Sequence, residues 1–149
     1  MELEAQRDHA EFMATHDVLT GLPNRAYLHT HVAQTLARAR RTDSEVAIAF
    51  IDLDGFSSIN DSFGHEYGDY LLTQVADAMQ AVVRASDTVS RLGGDEFVVA
   101  IPGHDDRQTK ALLDALTLWL ARPADIDGQE IRINASIGVS NSRVSGRAF

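Results

Sequence analysis

Two adjacent carboxylates, Asp95 and Glu96, follow two adjacent glycines in the stretch Arg91-Leu92-Gly93-Gly94-Asp95-Glu96-Phe97. A strand-like run from Thr88 to Leu92 stops at the glycines, and a second run, Phe97 to Ile101, resumes behind the acids. Glycine pairs between β-prone runs mark a tight hairpin, because glycine alone enters φ > 0 without steric cost. The expected turn presents Asp95 and Glu96 at its tip, beside backbone that carries no side chain to obstruct a ligand. Carboxylates crowded this way repel one another, and a divalent cation with oxygen ligands relieves the repulsion. A lone Gly-Gly-Asp-Glu reads as a solvated acidic turn, so the rest of the chain has to decide. A second acidic stretch, Asp52-Leu53-Asp54-Gly55, begins like a calcium loop. Phe56 and Phe63 stand where an EF-hand needs oxygen ligands, which excludes that class. Taken alone, Asp52 is a helix-capping or loop carboxylate.

Composition narrows the chemistry. The chain has 149 residues, enough for one domain with a sound core, and its 44% hydrophobic content is ordinary for a soluble globular protein. Cysteine is absent, which removes disulfides and thiolate metal sites and fits a reducing, cytoplasmic compartment. No apolar run reaches the roughly 18 residues of a membrane span, and no signal peptide opens the chain. The Asn-x-Ser matches at Asn60 and Asn134 are therefore read as accidental. A net charge of −9 argues against a nucleic-acid polymer, which needs a basic face, but not against one nucleotide whose charge a metal neutralises. Lys110 is the only lysine, and no Gly-x-x-x-x-Gly-Lys-Ser/Thr loop exists to hold phosphates.

The elements that must position the acids follow from periodicity. Residues Glu2 to Thr15 are polar and helix-prone, with Leu3, Phe12 and Met13 too sparse for a core helix; residues 1–15 read as a connector from an upstream domain. Pro23 and Asn24 open a helix with Leu28, Val32 and Leu36 at i, i+4, i+8, and Arg38, Arg40 and Arg41 close it. Val46 to Ile51 is an apolar run expected to form a strand buried on both faces. An acidic loop follows. Gly68 to Val83 then aligns Leu72, Val75, Met79 and Val82 on one helical face. Asp105 to Arg122 turns Leu112, Leu116, Trp119 and Leu120 inward. Ile131, Ile133, Ala135, Ile137 and Val139 alternate as one strand. Strand, helix, hairpin, helix, strand is the split β-α-β order of ferredoxin-like folds. The expected class is α+β, a mainly antiparallel central sheet flanked by helices.

Five ordered blocks give this pattern a family. They are His16-Asp17-Val18-Leu19-Thr20-Gly21-Leu22-Pro23-Asn24-Arg25; Phe50-Ile51-Asp52-Leu53-Asp54-Gly55-Phe56; Ile59-Asn60-Asp61-Ser62-Phe63-Gly64-His65 with Gly68-Asp69; the Gly93–Phe97 segment; and Ala135-Ser136-Ile137-Gly138-Val139. Together they resemble the GGDEF family, the diguanylate cyclase domains of bacterial signalling, over residues 16–140. The resemblance implies a nucleotidyl-cyclase-like palm that joins two GTP into cyclic di-GMP and releases pyrophosphate, one GTP on each protomer of a homodimer. It implies two Mg2+ or Mn2+ ions per site, held by Asp52, Asp95 and the backbone carbonyl of Leu53, with Glu96 as a further ligand or proton acceptor. Asn60 and Asp69 match the guanine readers. An amide both donates and accepts, and a carboxylate accepts from guanine N1–H and N2–H. Asp69 also suits the N-terminal part of a helix. Phe56 and Leu72 are expected in the pocket floor.

Arg84 and Asp87 match the family's product-inhibition site, where an Arg-x-x-Asp pair is otherwise a surface ion pair by default. An upstream sensor and a downstream phosphodiesterase domain are the implied partners. Two departures stand out. Ser57 replaces a lysine near the triphosphate, and the resemblance ends after Ser140, leaving 141–149 as a divergent tail where the family continues with a basic helix and a strand. Apolar residues among Val46 to Ile51 and Ile131 to Val139 are therefore expected to be partly bare, and GTP binding weakened. Three functions remain open: a cyclase, a catalytically weak module that binds GTP or cyclic di-GMP and regulates a partner, and a dimerisation module without ligand.

Overall fold

The computed structural model describes residues 2–103, 105–126 and 128–142. Helix α1, Glu2–Thr15, buries none of its residues. It is tied to the body at its C-terminal end, where the Asn24 N–H donates to the Thr15 carbonyl (2.9 Å) and Asn24 Nδ2 to the Ala14 carbonyl (3.1 Å). Asn24 also caps α2, Arg25–Thr42, its side chain accepting from the Tyr27 N–H. Val32, Leu36 and Ala39 are the buried stripe of α2.

Strand β1, Val46–Asp54, changes character along its length. Val46 to Ala49 are buried on both faces, as the apolar run requires, and Phe50, Asp52 and Asp54 then alternate outward. The segment expected as an acidic loop is instead helix α3, Phe56–Phe63, followed directly by α4, His65–Val82. Phe56, Ile59 and Phe63 recur at helical spacing, and Gly55 (φ 75°) and Gly64 (φ 93°) supply the left-handed backbone at the entry and at the joint. Strands β2, Thr88–Gly93, and β3, Glu96–Pro102, form the hairpin. Helix α5, Asp106–Leu120, starts with a capping box between Asp105 and Gln108.

The strand expected from Ile131 to Val139 is two strands. Gly128 (φ 79°) turns β4, Ala124–Ile126, into β5, Gln129–Ile131, a separate two-stranded sheet, and β6, Asn134–Asn141, joins the main one. Ile131 and Ile133 both face the core, so the alternation runs unbroken across the change of sheet.

The main sheet has the order β2-β3-β1-β6, every pairing antiparallel. With β1-α3/α4-β2-β3-α5-β6 in sequence, this is the ferredoxin-like arrangement the periodicity predicts. One face packs Ile51, Leu53, Phe97 and Val99 against Leu72, Met79 and Leu116 of α4 and α5. The other face carries α2 over Val46, Ile48, Val98 and Ala100. Trp119 is a correction: it is 39% exposed, lying outside the core with the Arg122 guanidinium 3.9 Å over its ring. Among the apolar residues of the two sheet runs, Phe50 and Val139 are the exposed ones. Of the expected tail, Asn141 continues β6 opposite Ala47 and Ser142 accepts from the Val46 N–H (3.0 Å); residues 143–149 lie outside the described residues.

Candidate active site

The outward face of β1 sets the site. Antiparallel register puts Glu96 of β3 opposite Asp52 on one side and Ser136 of β6 on the other. Positive φ falls on Gly93 (145°) and Gly94 (50°) and not on Asp95, the pattern of a type II′ turn with glycine at its first central position. The turn tip is therefore Gly94-Asp95. Glu96, expected beside Asp95 in the turn, opens β3 and pairs with Gly93. The Leu53 N–H donates to the Asp95 carbonyl (3.3 Å), which brings the tip against the end of β1. Burial raises the Asp95 carboxyl above its ordinary value, and the neighbouring Asp52 and Glu96 carboxylates push it further in the same direction. Among the described residues no three carboxylate or imidazole side chains gather around one point. A cation here would rest on the Asp52–Asp95 pair and backbone oxygen.

A partly buried arginine fixes the hairpin. Arg91 Nη1 bonds both carboxylate oxygens of Asp17 (3.0 and 3.2 Å), while its Nε and Nη2 donate to the Gly94 carbonyl (3.1 and 2.8 Å). Asp17 also accepts from the Thr20 N–H (2.9 Å) and hydroxyl (2.7 Å). Burial works to raise the Asp17 carboxyl, but the bonds from Thr20 and Arg91 outweigh it and hold it below the usual carboxylate range. Sequence reasoning assigned these residues no role. The available signal was Asp17 three residues before Thr20 ahead of Gly21, a self-bonding turn.

Asn60 lies on α3 and Asp69 on α4, where Asp69 is exposed. Between them, Gly68 allows the two helices to touch: a Cβ there would overlap Asn60 Oδ1 and stand 3.2 Å from Phe56 Cζ. Asn60 Oδ1 is buried without a hydrogen-bond partner among the described residues. An unmet buried acceptor costs about 1–3 kcal/mol, so this one is a natural point for a donor to arrive. Phe56 and Leu72 are both buried in the core between the sheet and α4. The N-terminus of α3 was a missed feature: Gly55 gives no side-chain cap, so its first N–H groups stay open one residue past Asp54, a favourable end for phosphate. Ser57 is in that first turn. Ser136 Oγ donates to both oxygens of Asp54 (2.8 and 2.9 Å).

The other expected pair stands apart. Arg84 and Asp87 precede β2, whose length of roughly 17 Å lies between them and Gly93. The Asp87 side chain has no accessible surface and caps the Arg84 N–H (2.9 Å), and Arg84 Nη2 donates to the Pro102 carbonyl (3.2 Å). Asp52, Leu53, Asp95 and Glu96 thus come together at one end of the sheet. A cleft of about 420 Å³ opens there, lined by Phe50, Asp52, Leu92, Glu96, Ser136 and Gly138 among others.

An antiparallel palm with carboxylates at a strand end and a glycine turn defines a nucleotidyl-cyclase-like domain. The chain belongs to the GGDEF family: the profile described as "Diguanylate cyclase, GGDEF domain" matches residues 14–148. It is similar to the bifunctional diguanylate cyclase/cyclic di-GMP phosphodiesterase MucR of Pseudomonas aeruginosa, with 44% identity over 86% of this chain and 19% of that protein. It is also similar to the cyclic di-GMP phosphodiesterase NbdA of the same organism, 40% identical over 91% of this chain and 18% of that one. The chain thus spans about a fifth of these relatives' lengths. Among solved structures, the coiled coil and GGDEF domain of DgcB from Caulobacter crescentus, in complex with c-di-GMP, aligns with a TM-score of 0.86 and 26% identity, over 99% of this chain and 80% of that one. A sensory box/GGDEF family protein from Caulobacter crescentus gives 0.80 at 42% identity, over 85% and 83%.

Proposed function

We propose that this domain condenses two GTP into cyclic di-GMP. The observation that carries the proposal is the Asp95 carboxyl held beside Asp52 and Glu96 at a glycine turn, raised by burial and by their charge. That set of hard oxygen donors fits Mg2+ or Mn2+, with Asp52, Asp95 and the Leu53 carbonyl as the groups that would hold it. When bound, such ions neutralise phosphate charge and lower the pKa of an attacking oxygen. The chain's own residues do the rest. Asn60 and Asp69 orient guanine, and the open N–H groups of α3 hold the α-phosphate. The 3′-oxygen of one nucleotide forms a bond to the α-phosphorus of the other as the α–β bridging P–O bond breaks. Pyrophosphate leaves, and Glu96 accepts the hydroxyl proton. Two protomers each present one nucleotide, so a homodimer is the working form. We assign α1 to a connector from a sensor, and Arg84 with Asp87 to product inhibition.

A second function is supported by Ser57, which removes a cation, and by similarity to a relative named only as a phosphodiesterase. It is a GTP- or cyclic di-GMP-binding module that regulates a partner. Incubation with GTP and magnesium, followed by chromatography, separates the two. Cyclic di-GMP that disappears in Asp95→Ala supports the cyclase. Nucleotide binding without product selects the module.

A further inference from the structure

We propose that Arg25 supplies the phosphate-directed cation that the first turn of α3 lacks, a positioning role that rests on GTP being the ligand. The charge balance at this end of the sheet is unfavourable. Asp52, Asp95 and Glu96 face an incoming triphosphate, and Ser57 leaves the first turn of α3 without a positive side chain. Arg91 is committed, all three of its guanidinium nitrogens bonding Asp17 or the Gly94 carbonyl. Arg25 is different. It is the first residue of α2, exposed, and without a hydrogen bond or ion pair among the described residues.

Its location gives that charge a direction. Arg25 and His29, one turn apart on the same side of α2, line a second cleft of about 140 Å³ over the sheet. Phe50 and Leu92 line both this cleft and the acidic one, so the two adjoin across these side chains. Phe50 and Asp52 are alternate residues of β1 pointing to the same face, about 6.6 Å apart along the strand. A triphosphate whose α-phosphate sits at Asp52 can therefore point its terminal end across Phe50 to the long Arg25 side chain, whose guanidinium fork matches terminal phosphate oxygens. The acids take the metal-bearing end and Arg25 the terminal phosphate.

The test is calorimetry in magnesium with GMP and with a GTP analogue whose α–β bridging oxygen is methylene, which cannot condense. Arg25→Ala should weaken the analogue about tenfold while changing GMP less than twofold. Ser57→Lys placed on Arg25→Ala should recover most of the lost affinity, which a merely structural loss would not allow. Equal affinity of Arg25→Ala and the parent for the analogue overturns the role of Arg25. Equal losses for GMP and analogue also overturn it, since the terminal phosphates are then not what Arg25 reads. A parent protein that binds neither nucleotide refutes the GTP site itself, and the role of Arg25 with it.

Discussion

At the scale of single residues, two carboxyls carry opposite shifts and opposite consequences. Asp95 is raised by burial and by Asp52 and Glu96, so the folded state holds its proton more tightly than the unfolded chain. Stability from this group is present at low pH and is lost as pH rises through the folded value. Asp95→Asn should therefore raise the melting temperature of the metal-free protein above neutral pH and abolish any further rise on adding magnesium. A metal-dependent rise that survives the substitution would remove Asp95 from the ligand set. Asp17 behaves in reverse. Its depressed carboxyl stabilises the fold above the unfolded value of 3.8, and that contribution is lost as pH falls through the lower folded value. Arg91→Ala strips Asp17 and the Gly94 carbonyl of their shared donor and should cost about 2 kcal/mol, read from urea unfolding at pH 7. Arg91 is visible in the sequence, but its partner is 74 residues away, and no local pattern announces that distance.

Between elements, the α3–α4 contact gives a sharp test because two effects oppose each other. Alanine for glycine inside a helix ordinarily gains about 1 kcal/mol. At Gly68 the added methyl meets the Asn60 amide and Phe56, and overpacking of that kind costs about 1–3 kcal/mol. Gly68→Ala should therefore lower the unfolding midpoint and weaken GMP binding together. A neutral or stabilising outcome would mean that the helices part without loss. The helices themselves were unevenly legible. α4 and α5 declare themselves by long apolar stripes. α3 is hidden by its eight residues and polar content, although Phe56, Ile59 and Phe63 carry the right spacing. Trp119 was misassigned because helical phase near the C-terminus of α5 does not say where the neighbouring surface ends.

For the molecule as a whole, the sheet order followed from the succession of elements, since split β-α-β units have few unknotted solutions. The break between β5 and β6 did not, because an alternation with period 2 reads the same across one sheet or two. The acidic cluster was legible, as Asp52 and Glu96 face each other in register and Asp95 sits in the turn beside them; the cleft at Arg25 was not, because it forms only when α2 packs over the sheet. Helix α1 adds little to this body, burying none of its residues. Removing residues 1–10 should change stability by less than about 1 kcal/mol, measured by urea unfolding. A larger loss would show that α1 is part of the folding unit.

The alternation that begins halfway along β1 sets the local field. Ile51, Leu53 and Phe97 place an apolar, weakly polarisable wall directly behind Asp52 and Glu96, with an open cleft in front. Field lines from the acids are pushed out of that wall and concentrated in the cleft, drawing cations inward and turning bare polyphosphates away. On the proposed function the arriving species is then the metal–nucleotide complex, not the free anion, and its capture should slow as free nucleotide outnumbers magnesium.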